Sequence, residues 1–175
     1  MSGVLLRSWS DADFEPYFEM CSDPEVMRHF PAVLTRDQAG AAFTRMRGSL
    51  DDRGWGVWAV EADGQFAGMT GLAIPGFAAA FTPCTEILWR FRRACWGRGL
   101  AHAAALQALE YGFSRLRLRE IVAFTAAPNL RSIRLMERLG FDRDAEGDFE
   151  HPAIEPGHPL RRHVLYRKRP PAAVR

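Results

Sequence analysis

The hexapeptide Trp96-Gly97-Arg98-Gly99-Leu100-Ala101 constrains this chain more than any other stretch. Just upstream, residues 85–91 are short and rich in β-branched and aromatic side chains, the pattern of a strand. Just downstream, Leu109, Phe113 and Leu116 recur at helical spacing along an alanine-rich run, which predicts a helix. Glycines at the junction permit a turn that other residues resist and leave the backbone open to close approach. A strand, a glycine turn and a helix N-terminus together expose unpaired N–H groups at the positive end of a helix dipole. That arrangement suits a phosphate or diphosphate. An ordinary tight turn uses the same residues. The stretch lacks the Lys-Ser/Thr ending of a P-loop and the third glycine of a dinucleotide-binding turn, so spacing alone leaves both readings open.

The rest of the chain supplies alternating elements. Residues 4–9 read as a first strand, and Ser10 or Asp11 can cap a helix with Phe14, Tyr17, Phe18 and Cys21 as its apolar stripe. Ser22-Asp23-Pro24-Glu25 predicts a second short helix carrying Val26, Met27 and Phe30. Thr35 caps a third over residues 35–53, with Ala39, Phe43, Met46 and Leu50 inward and Gly54 as its stop. Residues 55–60 and 65–74 alternate like strands around Asp63-Gly64, a hairpin signal, and residues 75–83 form a loop. After the central strand and helix come a strand over 119–125 and a helix over 129–139, with Leu130, Ile133, Met136 and Leu139 facing inward. Residues 141–149 and 160–169 read as a last pair of strands. The expected organisation is one domain over residues 1–169, a mixed α+β fold, with a frayed tail over 170–175.

Composition excludes several function classes. A chain of 175 residues can bury about two thirds of its surface as one domain. No apolar run approaches the ~18 residues that cross a bilayer, and no secretory signal is visible. Cys21, Cys84 and Cys95 are odd in number and widely spaced, which fits free thiols and a cytoplasmic setting. His151, His158 and His163 lack cysteine partners at zinc spacing, so no metal is expected. The formal charge is only +2, and the basic cluster Arg161, Arg162, Arg167, Lys168 and Arg169 suits a solvated edge strand better than a nucleic-acid surface.

Four stretches, in order, resemble one family. They are Leu-Leu-Arg-Ser-Trp at 5–9, Ser-Asp-Pro-Glu-Val-Met-Arg at 22–28, Trp-Gly-Arg-Gly-Leu-Ala at 96–101, and Asn-Leu-Arg-Ser-Ile-Arg-Leu-Met-Glu-Arg-Leu-Gly-Phe at 129–141. The chain resembles the GNAT superfamily of acyl-CoA N-acetyltransferases, most closely its RimJ/RimL-like branch. The resemblance implies a strongly twisted, mostly antiparallel mixed sheet flanked by helices, whose parallel fourth and fifth strands splay apart. It implies acetyl-CoA as cosubstrate, held at the turn of Trp96, Gly97, Arg98, Gly99, Leu100 and Ala101, with its diphosphate on the amides of Gly97 to Ala101. It also implies pantetheine contacts to the backbone of Leu88, Trp89, Arg90 and Phe91, and contacts from Asn129 and Ser132.

Direct transfer from thioester to amine needs a base, an oxyanion donor and a group that meets the departing thiolate. Glu86, at the start of the central strand, is the candidate base; a surface carboxylate paired with an arginine is the alternative. His151 is a second candidate base, given its ordinary titration range. Many superfamily members carry a tyrosine acid where this chain has Met136, a departure that matches the RimJ/RimL-like branch and points to Ser132 for contact with the sulfur. Trp96 reads as packing beneath the turn, and Arg98, ahead of Arg92 and Arg93, as phosphate charge. The helices of residues 10–53 and the segment 144–160 should wall the acceptor. Asp144, Glu146, Asp148, Glu150 and Glu155 there form either an acidic wall favouring a cationic amine or a solvated loop. The expected acceptor is a protein N-terminus or a small-molecule amine, and the expected state a monomer or homodimer. A noncatalytic acyl-CoA-binding domain is the competing reading.

Overall fold

The computed structural model describes residues 3–170. Among these, seven strands form one sheet in the order β1-β2-β3-β4-β5-β7-β6. The strands are β1 (Val4–Arg7), β2 (Val57–Ala62), β3 (Gln65–Ala73), β4 (Glu86–Phe91), β5 (Ile121–Ala126), β6 (Asp142–Glu150) and β7 (Arg162–Lys168). The helices are α1 (Phe14–Ser22), α2 (Arg36–Arg53), α3 (Leu100–Glu110) and α4 (Leu130–Arg138). The expected mixed, mostly antiparallel sheet is therefore present. Of the tail expected over residues 170–175, residues 171–175 lie outside the described residues.

Local chemistry sets the boundaries. Thr35 and Gln38 cap α2 reciprocally: Thr35 Oγ1 accepts from the Gln38 amide at 3.3 Å, and Gln38 Oε1 accepts from the Thr35 amide at 2.9 Å. Gly54 closes the helix in the left-handed region, its amide donating to the Leu50 carbonyl. The second short helix does not form; residues 24–29 are successive turns. Asp23 Oδ1 takes the Glu25 amide at 2.8 Å, and Pro31 follows directly, so side-chain competition and the proline leave no room to propagate a helix. β6 forms the strand expected over residues 141–149, so segment 144–160 begins as sheet and turns irregular only past Glu150.

Two layers of helix enclose the sheet. On one face Trp9, Tyr17, Phe43, Val57, Phe66 and Met69 pack α1 and α2 down. On the other, Ile87, Ala105, Ala108, Ile121, Met136 and Tyr166 join α3 and α4 to the central strands. Leu130, expected inward, is 58% exposed. It begins the first turn of α4, which starts beyond the end of β5, while Met136 and Leu139 further along are buried.

One parallel pair among the described residues positions the site. β4 and β5 meet at one register position, Glu86 opposite Val122, with the Val122 amide donating to the Thr85 carbonyl at 2.9 Å. Beyond it both strands continue without each other, β4 to Phe91 and β5 to Ala126. They form a V with its apex at Glu86 and its mouth at the carboxyl ends of both strands, where α3 and α4 begin. In α/β sheets such a crevice is the usual ligand position.

Candidate active site

At the mouth of the V, Gly97 has φ 75° and Gly99 φ 76°, conformations an L-residue rarely adopts. A Cβ at either position would meet no atom within 4 Å, so the glycines serve the turn and face open space. Gly99 caps α3 with no side-chain acceptor, and the first helical bond runs from the Ala103 amide to the Gly99 carbonyl. The amides just before Ala103 therefore have no intrahelical partner. Trp96 lies beneath this turn, its Nε1 donating to the Phe91 carbonyl at 3.0 Å.

Charge around the turn is distributed differently from the sequence expectation. Arg98 is ion-paired with Asp63 of the β2–β3 hairpin, and Arg92 reaches Glu19 at 3.4 Å. Arg131, which the sequence did not single out, stacks its guanidinium 3.8 Å from the Trp96 ring centroid. This contact brings the first turn of α4 against the start of α3, so two helix N-termini flank one opening. Arg131 belongs to the family-like stretch 129–141, but nothing in its spacing predicts the stack.

Within the V, alternation along β4 decides which groups are available. The Arg92 amide donates to Ala67 of β3, and the Thr85 carbonyl accepts from β5, so even positions address β3 and odd positions address the V. Of the four residues expected to present backbone groups, Trp89 and Phe91 face the gap. Leu88 and Arg90 face β3 instead, and the Leu88 carbonyl also accepts from Thr70 Oγ1 at 2.9 Å.

Ser132 projects from α4 into the same space. Its Oγ accepts from Trp89 Nε1 at 3.3 Å and from Asn129 Nδ2 at 3.1 Å. With both lone pairs engaged, the hydroxyl hydrogen is the group left to donate. Asn129 caps α4 through Oδ1 and donates to Thr125 Oγ1 at 2.9 Å, so its amide is spent on positioning Ser132.

On the opposite face, the side chains of Glu86, Leu88 and Arg90 line a cleft of about 820 Å³ walled by Tyr17 and α2. Burial pushes the Glu86 carboxyl up to about 7. No cation compensates it: among the described residues Glu86 has no ion pair, which removes the surface-pair alternative. A carboxyl that titrates near neutrality at the apex of the V can accept a proton from an amine.

The segment 144–160 does not line this cleft. Asp144 pairs with Arg167 at 2.6 Å, Asp148 with Arg143 at 2.6 Å and Glu150 with Arg161 at 3.1 Å, so the expected acidic wall is largely neutralised within and beside β6. His151 packs 4.9 Å from both the Phe77 and His163 rings, and burial with the neighbouring His163 holds it below the usual histidine range. It is outside the cleft. Among the described residues there is no cluster suited to a metal, and no helix is long and apolar enough to cross a membrane.

Comparison with known proteins agrees with this architecture. The profile of the acetyltransferase (GNAT) domain matches residues 4–142. The uncharacterized N-acetyltransferase YnaD of Bacillus subtilis strain 168 is 29% identical over 143 residues, 81% of this chain and 80% of its own. A GNAT-family acetyltransferase structure from Bacillus anthracis superposes with a TM-score of 0.74 at 24% identity, covering 97% of this chain and 96% of its own. Spermidine N-acetyltransferase from Vibrio cholerae, solved with CoA and spermine, superposes with a TM-score of 0.73 at 18% identity, covering 95% of both chains.

Proposed function

This chain belongs to the GNAT acetyltransferase family, and from that premise we propose that it transfers an acetyl group from acetyl-CoA directly to a primary amine. The observation that carries the reading is the V between β4 and β5, zipped at Glu86 and open where two helix N-termini converge. Amides of residues 97–101 would hold the diphosphate, with Trp96 packed beneath and Arg131 adding charge in place of the ion-paired Arg98. The edge groups of Trp89 and the amide of Phe91, whose carbonyl Trp96 already occupies, would hold the pantetheine arm. The thioester would then lie toward the apex, beside Glu86. The CoA bound in the Vibrio cholerae structure supports the choice of nucleotide thiol.

In the transfer, Glu86 takes the amine proton, directly or through water. The amine nitrogen then forms a bond to the acetyl carbon while the carbon–sulfur bond breaks. The Ser132 hydroxyl donates to the sulfur that receives the electron pair, and Asn129 and Trp89 orient that hydroxyl. The RimJ/RimL-like branch fits the serine and the absence of a tyrosine at Met136. A single domain over residues 1–169 contains every group named. The acceptor is a protein N-terminal amine or a small-molecule amine.

Acetyl-CoA at ~100 times its dissociation constant should stabilise the fold by about 2.7 kcal/mol. No thermal shift would refute the reading. A shift without thiol release across an amine and peptide panel would leave a noncatalytic acyl-CoA-binding domain.

A further inference from the structure

The cleft beside Glu86 has a charge pattern that its surroundings do not share. Three guanidinium groups line it, Arg45, Arg53 and Arg90, against one carboxylate, Glu86 itself. Among the described residues none of the three is in an ion pair. Neighbours on the same elements are: Arg36 pairs with Glu15, Arg47 with Asp11, and Arg92 just past β4 with Glu19. Carboxylates were available to neutralise arginines on the outer surface, and the cleft was left cationic.

Arg90 is the most exacting of the three. Its Nη1 donates to Cys21 Sγ at 3.1 Å, a weak acceptor, and its guanidinium stacks 4.3 Å from the Phe30 ring centroid. Its Nε is buried with no hydrogen-bond partner. The half-buried group lines the cleft, where a planar two-oxygen anion would meet its free terminal N–H groups. Arg45 and Arg90 line the same cleft as the buried Tyr17.

Taking acetyl transfer as the reaction, we propose that the acceptor is an amine that also carries a carboxylate. Arg90 and Arg45 bind the carboxylate beside Tyr17, and the amine lies toward Glu86. Glu86 and Arg90 are four residues apart on one strand face, ~13 Å between Cα atoms. A chain of several atoms therefore separates amine from carboxylate, as in an ω-amino acid or in a peptide N-terminus followed by an acidic side chain. A polyamine, with a second cation where these arginines stand, is disfavoured.

The test is calorimetric titration of the CoA-bound protein with an ω-amino carboxylate, its primary amide and the diamine of equal chain length. The carboxylate should bind at least about tenfold more tightly than the other two. Arg90→Gln should remove most of that preference while CoA affinity stays unchanged. Arg45 is exposed, so Arg45→Ala spares the fold and should weaken carboxylate binding by about tenfold as well. A short peptide with an acidic second residue, run beside the free amino acid, identifies the source by whichever binds more tightly. Equal or tighter binding of the amide or diamine overturns the inference, as does a preference that survives both substitutions. Failure of CoA itself to bind refutes the acetyl-transfer reading, whereas CoA binding with a diamine preference refutes the carboxylate alone.

Discussion

Glu86→Gln tests the base through stability as well as through turnover. Burial raises the Glu86 carboxyl from its ordinary 4.5 to about 7 without an ion pair. The folded state therefore holds this proton through a pH window in which the unfolded chain releases it. A tenfold change in proton affinity corresponds to about 1.36 kcal/mol, so ionisation costs the native fold about 3 kcal/mol once the pH is above both values. The sign follows from the raised folded value: native stability falls as pH rises from about 4.5 to 7, and is insensitive to this group below that window. Glutamine keeps the shape of the neutral acid and cannot ionise. Urea unfolding should find the two proteins nearly equal at about pH 4 and the variant about 2–3 kcal/mol more stable at about pH 8. Over the same range kcat/KM of the unmodified protein should rise to a plateau above about pH 7, and the variant should lose roughly 10²–10⁴ of it. A stability difference that does not change with pH would refute the buried, uncompensated carboxyl. A variant that turns over normally would refute its role as base. Gain of stability with loss of turnover is the combination expected of a residue kept for chemistry.

Gly99→Val places a β-branched residue at φ 76°, which should cost about 1–3 kcal/mol of stability, and projects it into the open space at the turn. CoA affinity should fall by more than about tenfold in titration, while circular dichroism shows a folded protein; unchanged affinity would remove the turn from the binding site. Ser132→Ala takes the acceptor from Trp89 Nε1 and Asn129 Nδ2 and the donor from the sulfur. It should lower kcat by about 10–100-fold with little change in the KM for acetyl-CoA, and an unaltered kcat would mean the hydroxyl does not meet the thiolate.

Periodicity carried most of the elements, because amphipathic spacing and turn residues are local properties. Thr35, Gly54, Asp63-Gly64 and the paired glycines each act on their own few residues, and each forms the cap or turn expected of it. The false helix over residues 24–29 and the exposed Leu130 show where local reasoning stops. One depends on an Asp23 side chain that competes with the backbone, the other on where the sheet beneath a helix ends. Motif order carried the family, and from it Glu86 and Ser132 could be named as candidates.

Long-range proximity carried the rest. Arg98 is held by Asp63, while Arg131 meets Trp96, across 35 residues in both pairs. The acidic residues near Asp148 find arginines on β7, and the cleft is left to Arg45, Arg53 and Arg90. Linear sequence states which charges a chain owns, but the field at a point depends on distances and burial that arise only once the sheet and its helices have packed. The glycine turn before α3 could be read from six adjacent residues because its chemistry is that of the local backbone. The sign of charge in the cleft beside Glu86 is a sum over strands and helices far apart in the chain, so it became legible only in three dimensions.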